Sequence, residues 1–173
     1  MQAPAGRNTA GRSMGTDCRM NYWLFKSEPD EYSIDDLAAE PARTGRWDGI
    51  RNYQARNFLR DAVAVGDGVL FYHSACKVPA IAGTAEVVRP AYPDPAQFDP
   101  HSKYFDPKAS GDKPRWYCVD VKWQGKFPRP LALAEIKRNP DLAEMVLVKQ
   151  GRLSIQPVTA REWRAILKLG EAL

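Results

Sequence analysis

Apolar positions along the chain recur in two periods, every second residue in short runs and every third or fourth in longer ones. The switches between them mark out the elements. In Asn21–Lys26 (NYWLFK), alternation sets Trp23 and Phe25 against Tyr22, Leu24 and Lys26, the pattern of a strand. Ser27-Glu28-Pro29 ends it, because Pro29 has no N–H to continue a ladder. Ser33, with Asp35 and Asp36 in the following turn, opens a short helix over Ile34–Ala39 that Pro41 closes. Residues 43–51 read as a loop. Asn52–Val63 reads as the longest helix of the first half, with Tyr53, Phe58 and Ala62 inward and Arg56 and Arg60 one turn apart. Gly66-Asp67-Gly68 then turns into a strand over Val69–His73, and Ala80–Val88 is its antiparallel partner.

The second half is less regular. Residues 89–115 carry prolines at 90, 93, 95, 100, 107 and 114, and a loop of this length in a small domain is often functional. Trp116–Trp123 alternates as a strand, while Leu133–Lys137 and Asp141–Met145 look like short helices separated by Asn139-Pro140. Leu153–Val158 reads as the last strand. Thr159-x-x-Glu162 is a capping box that starts a helix over Ala160–Leu169, with Trp163, Ile166 and Leu167 inward and Gly170 as its stop. Strands and helices interleave without βαβ spacing, which predicts an α+β fold: one small sheet curled toward a barrel, with helices outside.

With 173 residues, 44% of them hydrophobic, the chain supports one domain, taken as 21–173. Residues 1–20, rich in Ala, Gly and Arg and without an apolar stretch, read as a disordered leader rather than a secretory signal. No apolar run suits a membrane span. The formal charge is +4, of which the leader carries +2, so the remaining body is too nearly neutral for a generic phosphate-coating protein. Three scattered cysteines (Cys18, Cys76, Cys118) and two histidines offer neither a disulfide framework nor a metal site. Reduced thiols in the cytoplasm, no cofactor, and a monomer or weak homo-oligomer are the expectations.

Four stretches carry candidate chemistry. The densest is WDGIRNYQARN (47–57), which gathers Trp47, Arg51, Asn52, Tyr53 and Gln54 in a segment, 41–60, holding five arginines and one aspartate. Flat aromatic faces, guanidinium donors and amides suit the stacking of a planar heterocycle and the reading of its edge. Trp47 or Tyr53 would stack on the base, with Arg51 and Asn52 at its edge. Lys26, Ser27 and Glu28 stand where the first strand leaves the sheet, a good place for polar recognition. Tyr72, His73 and Ser74 end another strand; no G-x-S-x-G elbow accompanies them, so His73 reads as a wall residue rather than a general base. In KQGRLSIQP (149–157), Arg152 can meet a phosphate, and Ser154 and Gln156 share a strand face.

Taken together, YWLFKSEPDEYS, WDGIRNYQARNFLR, GDGVLFYHS, GTAEVV and GRLSIQPVT resemble the EVE domain family from about Asn21 to about Leu169. That family is itself similar to the PUA and ASCH domains. The resemblance implies a PUA-like, small, partly closed β-barrel with surrounding helices. It also implies a pocket that accepts a modified base, flipped or single-stranded, such as a modified cytosine in DNA or a modified adenine in RNA. Its implied lining is Trp23, Lys26, Ser27, Glu28, Trp47, Arg51, Asn52, Tyr53, Gln54, Tyr72, His73, Ser74, Arg152, Leu153, Ser154 and Gln156.

The preferred reading is a non-catalytic nucleic-acid-binding domain that recognises one modified base and binds unmodified strands weakly. Two others stay open: an enzyme acting on a modified base or nucleotide through His73, Glu28 or Lys26, and a small-molecule-binding module using the same pocket.

Overall fold

The computed structural model describes residues 20–171. The expected leader, apart from Met20, and Cys18 lie outside these residues. The strand read at Asn21–Lys26 is β1 (Tyr22–Ser27), and both of its faces are covered: Trp23 and Phe25 enter one core, Leu24 the other. The chain continues through α1 (Ile34–Ala39), β2 (Thr44–Trp47), α2 (Tyr53–Asp61), β3 (Gly68–His73), β4 (Ala80–Pro93) and β5 (Tyr117–Ala132). It then runs through α3 (Leu133–Arg138), α4 (Val146–Lys149), β6 (Ile155–Val158) and α5 (Ala160–Glu171). Single 3-10 turns stand at Pro41–Arg43, Pro95–Phe98 and Pro140–Leu142.

The strands form one six-stranded sheet in the order β2-β5-β4-β3-β1-β6. β1 runs parallel to β3 and antiparallel to β6; the other neighbours are antiparallel. This is the expected α+β fold. No ladder joins β2 to β6, so the barrel is not closed by backbone pairing. The sheet curls nonetheless: Trp47 of β2 and Ile155 of β6 share one core cluster with Phe25 and Phe71. Bulges interrupt the β4–β5 register at several points, and bulges bend and twist the strands that carry them. α1 and α2 cover this concave core through Ile34, Leu37, Ala55 and Leu59. On the opposite face Ile136 of α3, Leu142, Leu147 of α4 and Ile166 of α5 pack on Leu24, Leu70 and Ile81.

Several expectations need correction. Residues 44–47 are a strand, not loop, with Gly45 opposite Val121 and Trp47 opposite Val119. β4 and β5 run well past Val88 and Trp123, because bulges absorb the breaks in alternation. α2 turns Ala55 and Leu59 inward, with Phe58 packed beside them, while Tyr53 and Ala62 are exposed. The segment Asp141–Met145 is divided between the 3-10 turn and the approach to α4. The Thr159/Glu162 capping box forms as read, but Gly170 lies inside α5. A Cβ there would stand 2.7 Å from the Phe127 ring, so this glycine permits close packing on β5 rather than stopping the helix.

Candidate functional site

Parallel pairing of β1 with β3 sets Ser27 opposite His73, so both strands leave the sheet at the same end. The chain entering β6 and the chain leaving β2 converge there. Between them lies a cleft of about 950 Å³, within the range of pockets that enclose a small organic ligand. Lys26, Ser27 and Glu28 line it from β1, and Trp47 through Asn52 from the exit of β2. Ser74 lines it after β3, and Gly151, Arg152 and Ser154 before β6.

Trp47 forms the aromatic part of the floor. It is only 5% exposed, with ring centroids 5.3 Å from Phe25 and 5.0 Å from Phe71, so its orientation is held by the core. Its indole N–H makes no hydrogen bond among the described residues. Tyr104, from the proline-rich segment, makes a side wall. Gly49 (φ +77°) permits this: a Cβ would stand 2.8 Å from the Tyr104 ring, and the left-handed backbone disfavours any other residue.

Arg51 fastens that wall. Its Nε and Nη2 donate to the Tyr104 carbonyl (3.1 and 2.7 Å), and Nη1 donates to the Ile50 carbonyl and to Asp94 Oδ2, both at 2.9 Å. Asp94 is fully buried and also accepts from the Gly49 and Ala96 N–H groups. Four of the five guanidinium hydrogens are thereby committed. Arg51 lies at the cleft, but as a strut rather than a free reader of base edges. Glu31 completes the clasp by pairing with Lys103 and accepting from the Tyr104 hydroxyl.

The other polar groups of the cleft divide the same way. Lys26 donates to the Gly151 carbonyl, and burial lowers its pKa. Ser27 Oγ donates to the Tyr32 carbonyl, Arg46 to the Tyr92 hydroxyl, and the Tyr32 hydroxyl to Glu40. Asn52 caps α2, its Oδ1 accepting from the Ala55 N–H, which leaves Nδ2 as an oriented donor. Among the described residues, the side chains of Glu28, Asp48, Ser74, Arg152 and Ser154 have no hydrogen-bond partner in another residue. Five cationic and four carboxylate side chains line the cleft, so its charge is close to balanced.

Other candidates lie elsewhere. Gln54 and Leu153 line a smaller depression of about 400 Å³, shared with Asn52, Gly151 and Arg152. Trp23 is a core residue whose Nε1 donates to buried Asp67 (2.9 Å). Asp67 also accepts from the Asn21 and Ala64 N–H groups, so the Gly66–Gly68 turn holds a buried hub. Tyr72 is buried in the opposite core, its hydroxyl pKa pushed up to about 12 by burial. Gln156 is wholly buried and donates to the Gln150 and Leu153 carbonyls. His73 Nε2 accepts from the Ile34 N–H (3.1 Å), and burial lowers its pKa, so the neutral imidazole holds the start of α1. Tyr53 is 48% exposed on the outside of α2, stacked on Trp116 at 4.9 Å.

Sequence reasoning passed over Glu31, Tyr32, Glu40, Arg46, Asp48, Gly49, Ile50, Lys103 and Tyr104. Asp48-Gly49-Ile50 lay between two named candidates, and the length of the 89–115 segment was itself a signal for Lys103 and Tyr104. Among the described residues, no group of three or more His, Cys, Asp or Glu side chains is placed to hold a metal ion, and no helix is long and apolar enough to cross a membrane.

The EVE domain profile matches residues 21–169. Human thymocyte nuclear protein 1 is 44% identical over 168 residues, covering 87% of this chain and 74% of that protein. The structure of human THYN1 in complex with DNA containing 5-methylcytosine superimposes with a TM-score of 0.83, at 43% identity over 87% of this chain and 98% of that one. A hypothetical protein from Leishmania major gives a TM-score of 0.84 at 52% identity, covering 88% and 96%. The YTH domain of Zygosaccharomyces rouxii MRB1 (TM-score 0.52, 18% identity, 90% of each chain) shares the fold alone. The chain belongs to the EVE domain family.

Proposed function

We propose that the cleft receives a single modified base, unstacked from a DNA or RNA strand, and binds it without chemical change. The observation that carries this reading is the floor of the cleft. A core-anchored indole, Trp47, is ringed by hydrogen-bonding groups that the fold leaves unengaged, in a space of about 950 Å³. An aromatic face supplies about 1–3 kcal/mol for stacking one base, and oriented donors and acceptors select its edge. The relative crystallised with 5-methylcytosine DNA supports the same class of ligand. The nearly balanced charge of the cleft favours selectivity over strong backbone binding.

Catalysis has less support. Of the three residues that an enzymatic reading rests on, Lys26 and Glu28 line the cleft, with Lys26 donating to the Gly151 carbonyl, while His73 does not line it and its Nε2 is occupied. The test is fluorescence anisotropy at one fixed salt concentration. Its panel holds DNA and RNA oligonucleotides, single- and double-stranded, with and without methylated or hydroxymethylated bases. One modified base is expected to bind at least about tenfold more tightly than its unmodified parent, and to be recovered unchanged after incubation. Equal, weak binding across the panel contradicts the reading.

A further inference from the structure

The charge of the cleft is nearly balanced, whereas that of the smaller depression beside it is not. Lys149 and Arg152 line the depression and no carboxylate does. Lys149 pairs with Glu144, but both side chains are exposed, and a surface pair of this kind leaves its cation available. Asn52, Gly151 and Arg152 line both cavities, so the two meet at the turn that leads into β6.

That turn has its acceptors drawn inward. Gln156 Nε2 donates to the Gln150 and Leu153 carbonyls, and Lys26 Nζ donates to the Gly151 carbonyl. Both donors stand on paired strands of the sheet, β6 and β1. The N–H groups of Gly151 and Arg152, by contrast, have no hydrogen-bond partner among the described residues, and neither has the Arg152 guanidinium. A turn with its carbonyls engaged and successive N–H groups free, beside an unpaired guanidinium, offers donors to an anion without competing acceptors.

We infer that the depression is the subsite for one phosphodiester flanking the base, held by Arg152 and the free N–H groups of its turn. The inference rests on the reading of the cleft as a base pocket, since a strand that gives up one base to the cleft keeps its phosphates at the rim. Arg46, on the opposite wall, also keeps guanidinium hydrogens free, only its Nε being engaged by the Tyr92 hydroxyl. It lines the cleft alone, however, where four carboxylates offset the cations. An anion site on one side only fixes the direction in which the strand crosses the cleft.

The experiment uses single-stranded oligonucleotides carrying one 5-methylcytosine, in which the linkage on its 5′ side, its 3′ side or neither is an uncharged methylphosphonate. Each is bound to the wild type, Arg152→Ala and Arg152→Lys over a range of salt concentrations. The wild type is expected to lose about tenfold in affinity when one of the two linkages is neutralised, and much less for the other. Arg152→Ala should bind the charged strand about tenfold more weakly, no longer sense that linkage, and flatten the salt slope by about 0.7. Its preference for 5-methylcytosine over cytosine should equal that of the wild type. Arg152→Lys should recover part of the affinity and of the linkage effect, since an ammonium keeps the charge without the fork. Arg152 is exposed, and an unchanged melt shows that both variants are folded.

Unchanged affinity in Arg152→Ala, or a loss that is the same for all three strands, overturns the subsite while the base pocket stands. A lost base preference with an unaltered salt slope also overturns it, because Arg152 then reads the base. If the wild type separates no modified base from its parent across the wider panel, the base pocket falls. The phosphodiester subsite falls with it only if the linkage effect at Arg152 is absent as well.

Discussion

Two adjoining stretches, Trp47–Asn52 and Tyr53–Arg60, share the same residue types but face different spaces. The first is non-helical, extended except where Gly49 turns it, and all six of its residues line the cleft. The second is helical. Its aromatic, Tyr53, stacks outward on Trp116, with the Arg56 guanidinium 4.7 Å from the Tyr53 ring centroid, while Arg60 pairs with Asp61. The boundary is Asn52, whose side chain ends the extended segment by capping α2. Composition put both stretches into one cluster; the change of backbone period at a single cap sends them apart.

The largest test of this contrast is Trp47→Ala. Removing a buried aromatic is expected to cost about 3–5 kcal/mol in denaturant unfolding and to abolish base selectivity. Trp47→Phe keeps the fold with weaker binding. Arg51→Ala leaves buried Asp94 without its guanidinium, at about 3 kcal/mol, and releases the Tyr104 wall. Limited proteolysis should then cut faster within residues 99–116. Arg51→Lys does not rescue it, because an ammonium lacks the fork that spans Ile50, Asp94 and Tyr104.

Asn52 separates cap from ligand contact. Asn52→Ala is expected to lose about 1 kcal/mol, whereas Asn52→Asp keeps the cap and the stability but weakens base binding, since Nδ2 is gone. His73 predicts a pH effect behind the cleft. Its folded pKa lies below the ordinary 6.5, so the unfolded chain takes up the proton first as pH falls. Its contribution is therefore flat above about pH 7 and destabilising below about 6.5, with a slope no steeper than about 1.4 kcal/mol per pH unit. His73→Gln should remove that component from the stability profile. The smallest effect belongs to Tyr53→Ala. It should cost below about 1 kcal/mol and leave selectivity unchanged, because the ring stacks outside the cleft.

Local rules exposed much of the fold. The Ser33 cap, the Thr159/Glu162 box, the alternation of β1 and the turn that launches β3 each act within a few residues and fold as read. What escaped depends on distant partners. β2 has four residues, one of them glycine, and becomes a strand because β5 is there to pair with it. Bulges carry β4 and β5 through prolines that looked like breaks. The site follows the same division. Trp47, Asn52, Ser74, Arg152 and Ser154 could be named from chemistry at element ends, and they reach the cleft. Trp23 and Gln156 have suitable chemistry, but burial in the core takes them away from it. Tyr104 acquires its place only once Arg51 folds the proline-rich segment against Gly49.

The most direct measurement follows the five tryptophan indole N–H signals by NMR during titration with a single-stranded oligonucleotide carrying one 5-methylcytosine. Trp47 should shift strongly, together with the Asn52 side-chain amide. Trp23, held by Asp67, and Trp116, held by Asp106, should stay in place. A shift at Trp116 with Trp47 unmoved would put the base on the outer face of α2 and contradict the account.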